Sequence, residues 1–483
     1  MTYLSYTGGP ATGYTNEQWG FAQTPMMYDI AAIQDMYGAN FSGPSSQIYS
    51  FDPATGQELI NGVGQGTPGG NRIFRTIWDG GGNAEYDFSN YTTNETVDLT
   101  PGGYSTLSAV QLAYLGSGHY ADGEIFNALQ YNGDVRSLIR FVKLGSGTNT
   151  AVGNAANNVM EGGSGDNTIT TGAGADVILF TLNDMKGTHT DTITDYVSGT
   201  DVLRLEGISA SAITFSGTAG APTILVNNGT GTTTFNLASL ASKVTIVVGA
   251  TATTDLRTLT AASFANASVI TYDYSATGTA AKRSTKTYDG TGLLSSSLIV
   301  FADNSGSNTY YDTSGRTTEV KLLATDGSTT SDVKTVYLTG GARTETYTGT
   351  NYGQYTYVKS FNASNVLTEQ VTSGFTGRAF TALDDFYDAT GRVTEEKQTT
   401  STGALYSDEK ITYNAGGVTV HTYSGSAYGQ YTNIETLDAT GHLQERVTTG
   451  YTGQPFTSTD TLFRGGLGNL NSRDKWDFCS KAA

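Results

Sequence analysis

The sequence predicts a mainly β protein: a parallel β-roll with a flanking β-sandwich and one N-terminal helix, then an extended array of β-hairpin repeats. Three observations predict it. Glycine is abundant and proline scarce, 61 against 8 of 483 residues, and tyrosine at 30 copies is the favoured aromatic, a composition suited to sheets joined by tight turns. A Gly-rich turn recurs at a nine-residue step between 144 and 179. A longer repeat, with a step of about 23–26 residues, takes over after about 285.

The helix comes first. In TPMMYDIAAIQDMYGAN, Thr24 is placed to cap, Pro25 suits the first helical position, and Ile30, Ile33 and Tyr37 recur at helical spacing before Gly38 stops the run. Three β-like segments follow, Ile73 to Trp78, Ala84 to Phe88 and Glu95 to Leu99, divided by turns such as the triple glycine at 80–82.

The nonapeptides LGSGTNTAV, GNAANNVME, GGSGDNTIT and TGAGADVIL then run without a gap. They approximate G-G-x-G-x-D-x-U-x, with U a bulky apolar residue. Position six reads Asn149, Asn158, Asn167 and Asp176; position eight reads Ala151, Met160, Ile169 and Ile178. Six residues make a turn whose glycines accept unusual backbone angles, and three make a short strand with its apolar side chain in a narrow core. Successive units alternate sides, so turns stack two units apart. Asn149 pairs with Asn167 on one side and Asn158 with Asp176 on the other. Stacked turns aim carbonyls and position-six oxygens at one point, a calcium-type arrangement of hard oxygens. The predicted calcium residues are Asn149, Asn158, Gly163, Gly165, Asn167, Gly172, Gly174 and Asp176, joined by Asp191 and Asp195 of the acidic run, which with Asp166 and Asp184 supplies charge nearby. Because only one position-six residue is charged, weak binding is expected, roughly 10⁻⁴–10⁻³ M.

Residues 211–284, rich in Ala, Thr and Val, read as a β-rich connector, a sandwich or a linker. The later repeat is carried by YDGTGLL at 288, YDTSGRTTE at 311, YLTGGARTE at 337, FNASNVLTE at 361, YDATGRVTEE at 387, YNAGGVTV at 413 and LDATGHLQE at 437. A larger period returns YTGTNYGQY at 347 as YSGSAYGQY at 423, and GFTGRAFT at 374 as GYTGQPFT at 450. Each unit reads as strand, Asp/Asn-Gly turn and strand, stacked to share a core. Residues 464–483, with the lone Cys479, break the pattern and read as a frameshift or truncated frame from about Arg464.

The net charge of −18 argues against nucleic acid and anionic membranes as partners and suits cations. No apolar run approaches the roughly 20 residues of a transmembrane segment. MTYLSYTGGP lacks the basic and apolar parts of a cleaved signal peptide. One cysteine makes no disulfide framework, which leaves bound metal to stabilise an extracellular fold.

These segments together resemble the C-terminal half of serralysin-type zinc metallopeptidases with RTX nonapeptide repeats. TPMMYDIAAIQDMYGAN is similar to the family's helix after the catalytic cleft, IWDGGGNAEYDFSNYTTNETVDL at 77–99 to its calcium loop and following strands, and DTITDYVSGTDVLRL at 191–205 to the segment closing its roll. The resemblance implies a further calcium site at Asp79, Gly81 and Gly82. MTYLSYTGG resembles the family's Met-turn, with Leu4 in the Met position and Tyr6 matching the Tyr beside zinc. The zinc-binding H-E-x-x-H-x-x-G-x-x-H is absent, and His119, His189, His421 and His442 are scattered, so no zinc site and no catalysis are expected. The repeats resemble YD/RHS-type repeats of bacterial surface proteins.

The expected organisation is a metallopeptidase remnant at 1–60, a calcium-binding roll at 61–210, the connector at 211–284, hairpin repeats at 285–463 and an atypical tail at 464–483. The expected function is a calcium-binding, secreted, non-catalytic repeat protein exported without a cleaved signal. Two alternatives stand beside it. The chain is an inactive fragment of a secreted zinc metalloendopeptidase whose H-E-x-x-H helix lies upstream, or it is an adhesin contacting cell-surface polysaccharide through its Tyr rows, although cross-strand packing accounts for those Tyr more simply.

Overall fold

The computed structural model describes residues 4–463, except 239, 241, 250–252, 254, 261–265, 278–279, 430 and 452–456. The atypical tail with Cys479, and most of the GYTGQPFT copy at 450, lie outside the described residues. The chain divides into two compact units, Met1–Asp303 and Asn304–Ala483.

In the first unit, helix α1 spans Met27–Tyr37. It starts two residues later than Thr24 predicts. Met26 is the N-cap, and its backbone N–H donates to the Asp29 carboxylate at 3.1 Å. Thr24 Oγ1 instead accepts from the Thr76 N–H at 2.8 Å, tying the helix entry to strand Arg75–Ile77. Gly38, at φ 79°, ends the helix as expected, donating to the Gln34 carbonyl. The spacing of Ile30, Ile33 and Tyr37 predicts a buried apolar face. Only Gln34 is buried, and Tyr28, Ile33, Met36 and Tyr37 are exposed.

The nonapeptides form the predicted alternation. Strands Ala84–Asp87, Ile139–Lys143, Val159–Glu161, Val177–Phe180 and Val202–Leu205 pair in parallel in that order as one sheet. Strands Thr96–Asp98, Thr150–Asn154, Thr168–Gly172 and His189–Ile193 pair in parallel as the other. The period-two alternation sends Ala151, Met160, Ile169 and Ile178 between the sheets, all fully buried. Phe51, Tyr86, Phe88 and Phe180 share that core.

The roll does not stop at 210. Strand Thr232–Leu237 continues one sheet in parallel beside His189–Ile193, and Lys243–Val248 continues the other beside Val202–Leu205. Phe235, Leu237, Val244 and Ile246 extend the same core. Antiparallel strands Ile213–Thr218 and Ala221–Asn227 widen one sheet, while Ser268–Asp273, Ala281–Tyr288 and Leu294–Phe301 widen the other. The region read as connector therefore belongs to the roll. It lacks the glycine signature because these strands turn without stacking nonapeptide loops.

The second unit is an antiparallel meander from Gly306–Tyr311 to Ser458–Leu462, each strand paired with its chain neighbours. The six strands from Gly306 to Ser373 recur as the six from Ala382 to Thr449. The turns repeat too: Asp312, Asn362, Asp388 and Asp438 each accept backbone N–H donors two and four residues ahead. A shared apolar core was expected. Among the described residues of this unit the buried side chains are polar: Ser331, Thr372 and Asp408. Cross-strand pairs carry the sheet instead. The cation–π contact of Arg316 on Tyr337 recurs as Arg392 on Tyr413, both at 4.2 Å.

Candidate cation sites at the turns of the roll

The turns of the roll form two columns, one at each edge of the sheets. The first holds Glu95, Asn149, Asn167 and Asp191. Each residue hands its backbone N–H or side-chain acceptor to the next: Glu95 N–H donates to Asn149 Oδ1 at 3.0 Å, Asn149 N–H to Asn167 Oδ1 at 3.2 Å, and Asn167 N–H to Asp191 Oδ1 at 3.1 Å. The second column holds Asn158, Asp176 and Asp201. Asn158 N–H donates to Asp176 Oδ1 at 2.7 Å, and Asp176 N–H to Asp201 Oδ1 at 3.1 Å.

Glycine is required where turns stack. A Cβ on Gly163 would lie 2.1 Å from the Gly145 carbonyl, and one on Gly165 would lie 2.6 Å from that of Gly147. In the second column, Gly172 sits over the Asn154 carbonyl (2.4 Å from its ideal Cβ) and Gly174 over that of Ala156 (2.6 Å). These close approaches leave no room for a side chain where the turns stack.

The columns differ in what the position-six groups do. Asp176 is buried, and its Oδ2 has no hydrogen-bond partner. Burial pushes its carboxyl up to about 6, with Asp201 and Asp195 adding like charge. Asp195 and Asp201 flank it, but their oxygens are engaged: Asp195 accepts from the Thr171 and Gly172 N–H groups, Asp201 from those of Asp176 and Val197. A buried carboxylate oxygen without a hydrogen-bond partner, in a turn of closely stacked backbone, fits a hard cation. Among the described residues no three His, Cys, Asp or Glu side chains converge to hold a metal, so such a cation would draw on backbone oxygens. At the ends of the first column, Glu95 Oε1 is likewise unpartnered and its carboxyl is pushed up to about 8 by burial. Asp191 Oδ2 faces His189 Nε2 at 3.4 Å.

The other predicted positions lie elsewhere. Asp191 and Asp195, read together as nearby charge, fall on opposite columns. Asp184 accepts from Thr181, and Asp166 from Thr190. Asp79 is buried with both oxygens used: Oδ1 accepts from the Gly81 and Gly82 N–H groups and Oδ2 from the Tyr49 hydroxyl at 3.2 Å. The Gly82 carbonyl accepts from Ser46. This loop is closed by its own hydrogen bonds. Tyr6 stacks on His119 at 3.8 Å and packs against Ala113, Leu115 and Ala121. His421 bonds Glu409, and His442 lies in the Asp438 turn. The sequence reading missed Glu95 and Asp201. Asp201 was findable, because GTDVL repeats the Asp-Val-apolar order of GADVI; Glu95 was not, because its turn lacks the glycines.

In the second unit, a cleft is lined by Tyr423, Tyr428, Asn433, Glu435, Arg446 and Thr448. In the preceding copy Tyr357 stands where Asn433 does, edge-on to Tyr352 at 5.9 Å.

Residues 43–271 match the family model of the peptidase M10 serralysin C terminus. That segment is similar to a serralysin-type C-terminal domain. The match takes in strands of both sheets and runs past 210 into strand Ser268–Asp273. Metalloprotease AprA of Pseudomonas entomophila is 29% identical over 261 residues, 49% of this chain and 48% of its own length. Metallopeptidase AprA of Pseudomonas marginalis is 30% identical over 204 residues, 40% and 38% of the two chains. Serralysin G of Dickeya chrysanthemi is 34% identical over 114 residues, 23% and 22%. The chain thus spans at most about half the length of these relatives. A Tc holotoxin pore structure of Photorhabdus luminescens aligns with 40% of this chain and 14% of its own at 9% identity and a TM-score of 0.12, too low to show a shared fold.

Proposed function

We propose that the chain is a calcium-ordered, secreted, non-catalytic repeat protein, its serralysin-type domain taking up calcium after export. One observation carries the reading: the buried Oδ2 of Asp176 has no hydrogen-bond partner, in a turn whose Gly172 and Gly174 stack closely on the Asn154 and Ala156 carbonyls. Calcium would draw on Asp176 and on backbone oxygens of the stacked turns, and would supply the charge that burial otherwise penalises. The absence of H-E-x-x-H from the sequence and the separation of its four His support the non-catalytic part. Among the described residues no helix is long and apolar enough to cross a membrane.

Elemental mass spectrometry on the purified chain, dialysed against calcium without chelator, tests this. Calcium without stoichiometric zinc is expected, with a lower calcium count in D176N. Stoichiometric zinc would overturn the non-catalytic part, and an unchanged count in D176N would overturn the site.

A second reading is favoured by α1, whose Tyr28, Ile33, Met36 and Tyr37 are exposed on one short helix. Such a surface suits cover by a further protein segment. In this reading the chain is the C-terminal part of a longer metallopeptidase, as the metalloprotease names of its relatives suggest. Co-expression with a catalytic domain from such a relative, read by co-purification, tests it. Failure of Y28S/M36S to weaken that association would count against it.

A further inference from the structure

We infer that asparagine amides take the place of calcium in the Asn149 and Asn167 turns, so that these two turns of the first column close without a cation. The inference rests on the reading of these loops as calcium-type turns and asks which of them a cation fits.

In a calcium turn, the carbonyls at positions two and four and the position-six carboxylate are all acceptors. They repel one another until a cation enters. Here the Asn149 amide Nδ2 donates to the position-two carbonyl of its own turn, Gly145, at 3.0 Å. The Asn167 Nδ2 donates to the position-four carbonyl of its turn, Gly165, at 3.0 Å, and reaches the Gly163 carbonyl at 3.5 Å. It also donates to Asp191 Oδ1 at 2.8 Å. The Asn158 Nδ2 donates to the Ile139 and Arg140 carbonyls at 3.2 and 3.1 Å, and its Oδ1 accepts from the Asn154 N–H at 2.9 Å. These three Asn are 0–1% exposed. Asn149 and Asn167 therefore work as buried bridges: the NH₂ binds a position-two or position-four carbonyl of its own turn, and the oxygen binds a neighbouring N–H, whereas Asn158 ties its turn to the carbonyls of strand Ile139–Lys143.

The same turn with Asp behaves differently. Asp176 has no NH₂ to offer, and its Oδ2 is left unpartnered. The contrast within one fold, at equivalent positions, is the basis of the inference. A carboxylate at 149 or 167 would point an oxygen at the carbonyls the amides now satisfy. The amides and a cation compete for the same oxygens, and in this chain the amides hold them.

The test compares calcium bound per chain in the full-length wild type and in N149D/N167D. Restoring the two carboxylates should add at least one calcium ion per chain and make the melting temperature fall further in chelator than it does for wild type. Equal counts would overturn the inference. Hydrogen exchange of the wild type, with calcium and with chelator, keeps it testable if the variant does not fold. Protection at 144–149 and 162–167 should be unchanged, and loss of protection there on chelation would overturn it. D176N separates this from the proposed function: an unchanged calcium count in that variant removes the Asp176 site and leaves the amide closure standing.

Discussion

At the residue scale, one atom decides whether a turn needs a cation. Asn and Asp have nearly the same shape, yet Asn149 and Asn167 donate where Asp176 can only accept. A different acid in the same unit shows how burial is managed without a cation. Glu124 is buried, and its two oxygens accept from the Leu107 and Ser108 N–H groups at 2.7 and 3.0 Å. Burial still dominates, pushing the carboxyl up to about 7 from its ordinary 4.5. A carboxyl with a raised folded pKa takes up a proton on folding. Its contribution is full below about pH 4.5 and is lost as the pH rises through about 7. Denaturant unfolding of E124Q followed from pH 4 to 8 should show a shallower decline than wild type. Parallel profiles would mean that Glu124 does not set the slope.

At the element scale, the roll is a stack of short strands that send one or two side chains each into a shared core. Ile169 is fully buried between the sheets, flanked in register by Ala151 and Ile193. Truncating it leaves a cavity that short strands anchored by fixed turns cannot close. I169A should therefore cost about 2–5 kcal/mol, read as a lower urea midpoint at constant slope. A loss below about 1 kcal/mol would mean that the stack relaxes around the gap. The hairpin repeats use a different economy. Their strands lack buried apolar side chains, and recurring turns and cation–π contacts maintain the register instead.

At the scale of the whole molecule, two units are built on different physics. The first encloses a core continuous from Tyr49 to Ile270; the second is a meander whose described buried side chains are polar. Calcium, if it acts at Asp176, acts on the first alone. Scanning calorimetry should resolve two transitions, one of which moves up with calcium while the other stays. A common shift of both would show that calcium binds the repeats as well, or that the units unfold together.

The sequence by itself determined the β class, the alternating roll, the buried position-eight residues and the hairpin register. Each follows from a local rule: nine-residue periodicity, glycine at stacked turns, and Asp or Asn ahead of Gly in a hairpin. It also carried the resemblance to the serralysin C terminus that the family model matches at 43–271, because the nonapeptides and the segments around them lie close along the chain. Only the tertiary structure decided where the roll ends, since strands Thr232–Leu237 and Lys243–Val248 join it by pairing with distant neighbours rather than by any motif of their own. The same holds for the cap of α1, for the closed Asp79 loop, and for Glu95 and Asp201 as members of the columns. Most of all, position six could be read as Asn, but not where its amide points. For Asn149 and Asn167 that depends on how each turn folds its own carbonyls back onto the amide, while the Asn oxygen accepts from the neighbouring turn, and both are properties of the folded chain.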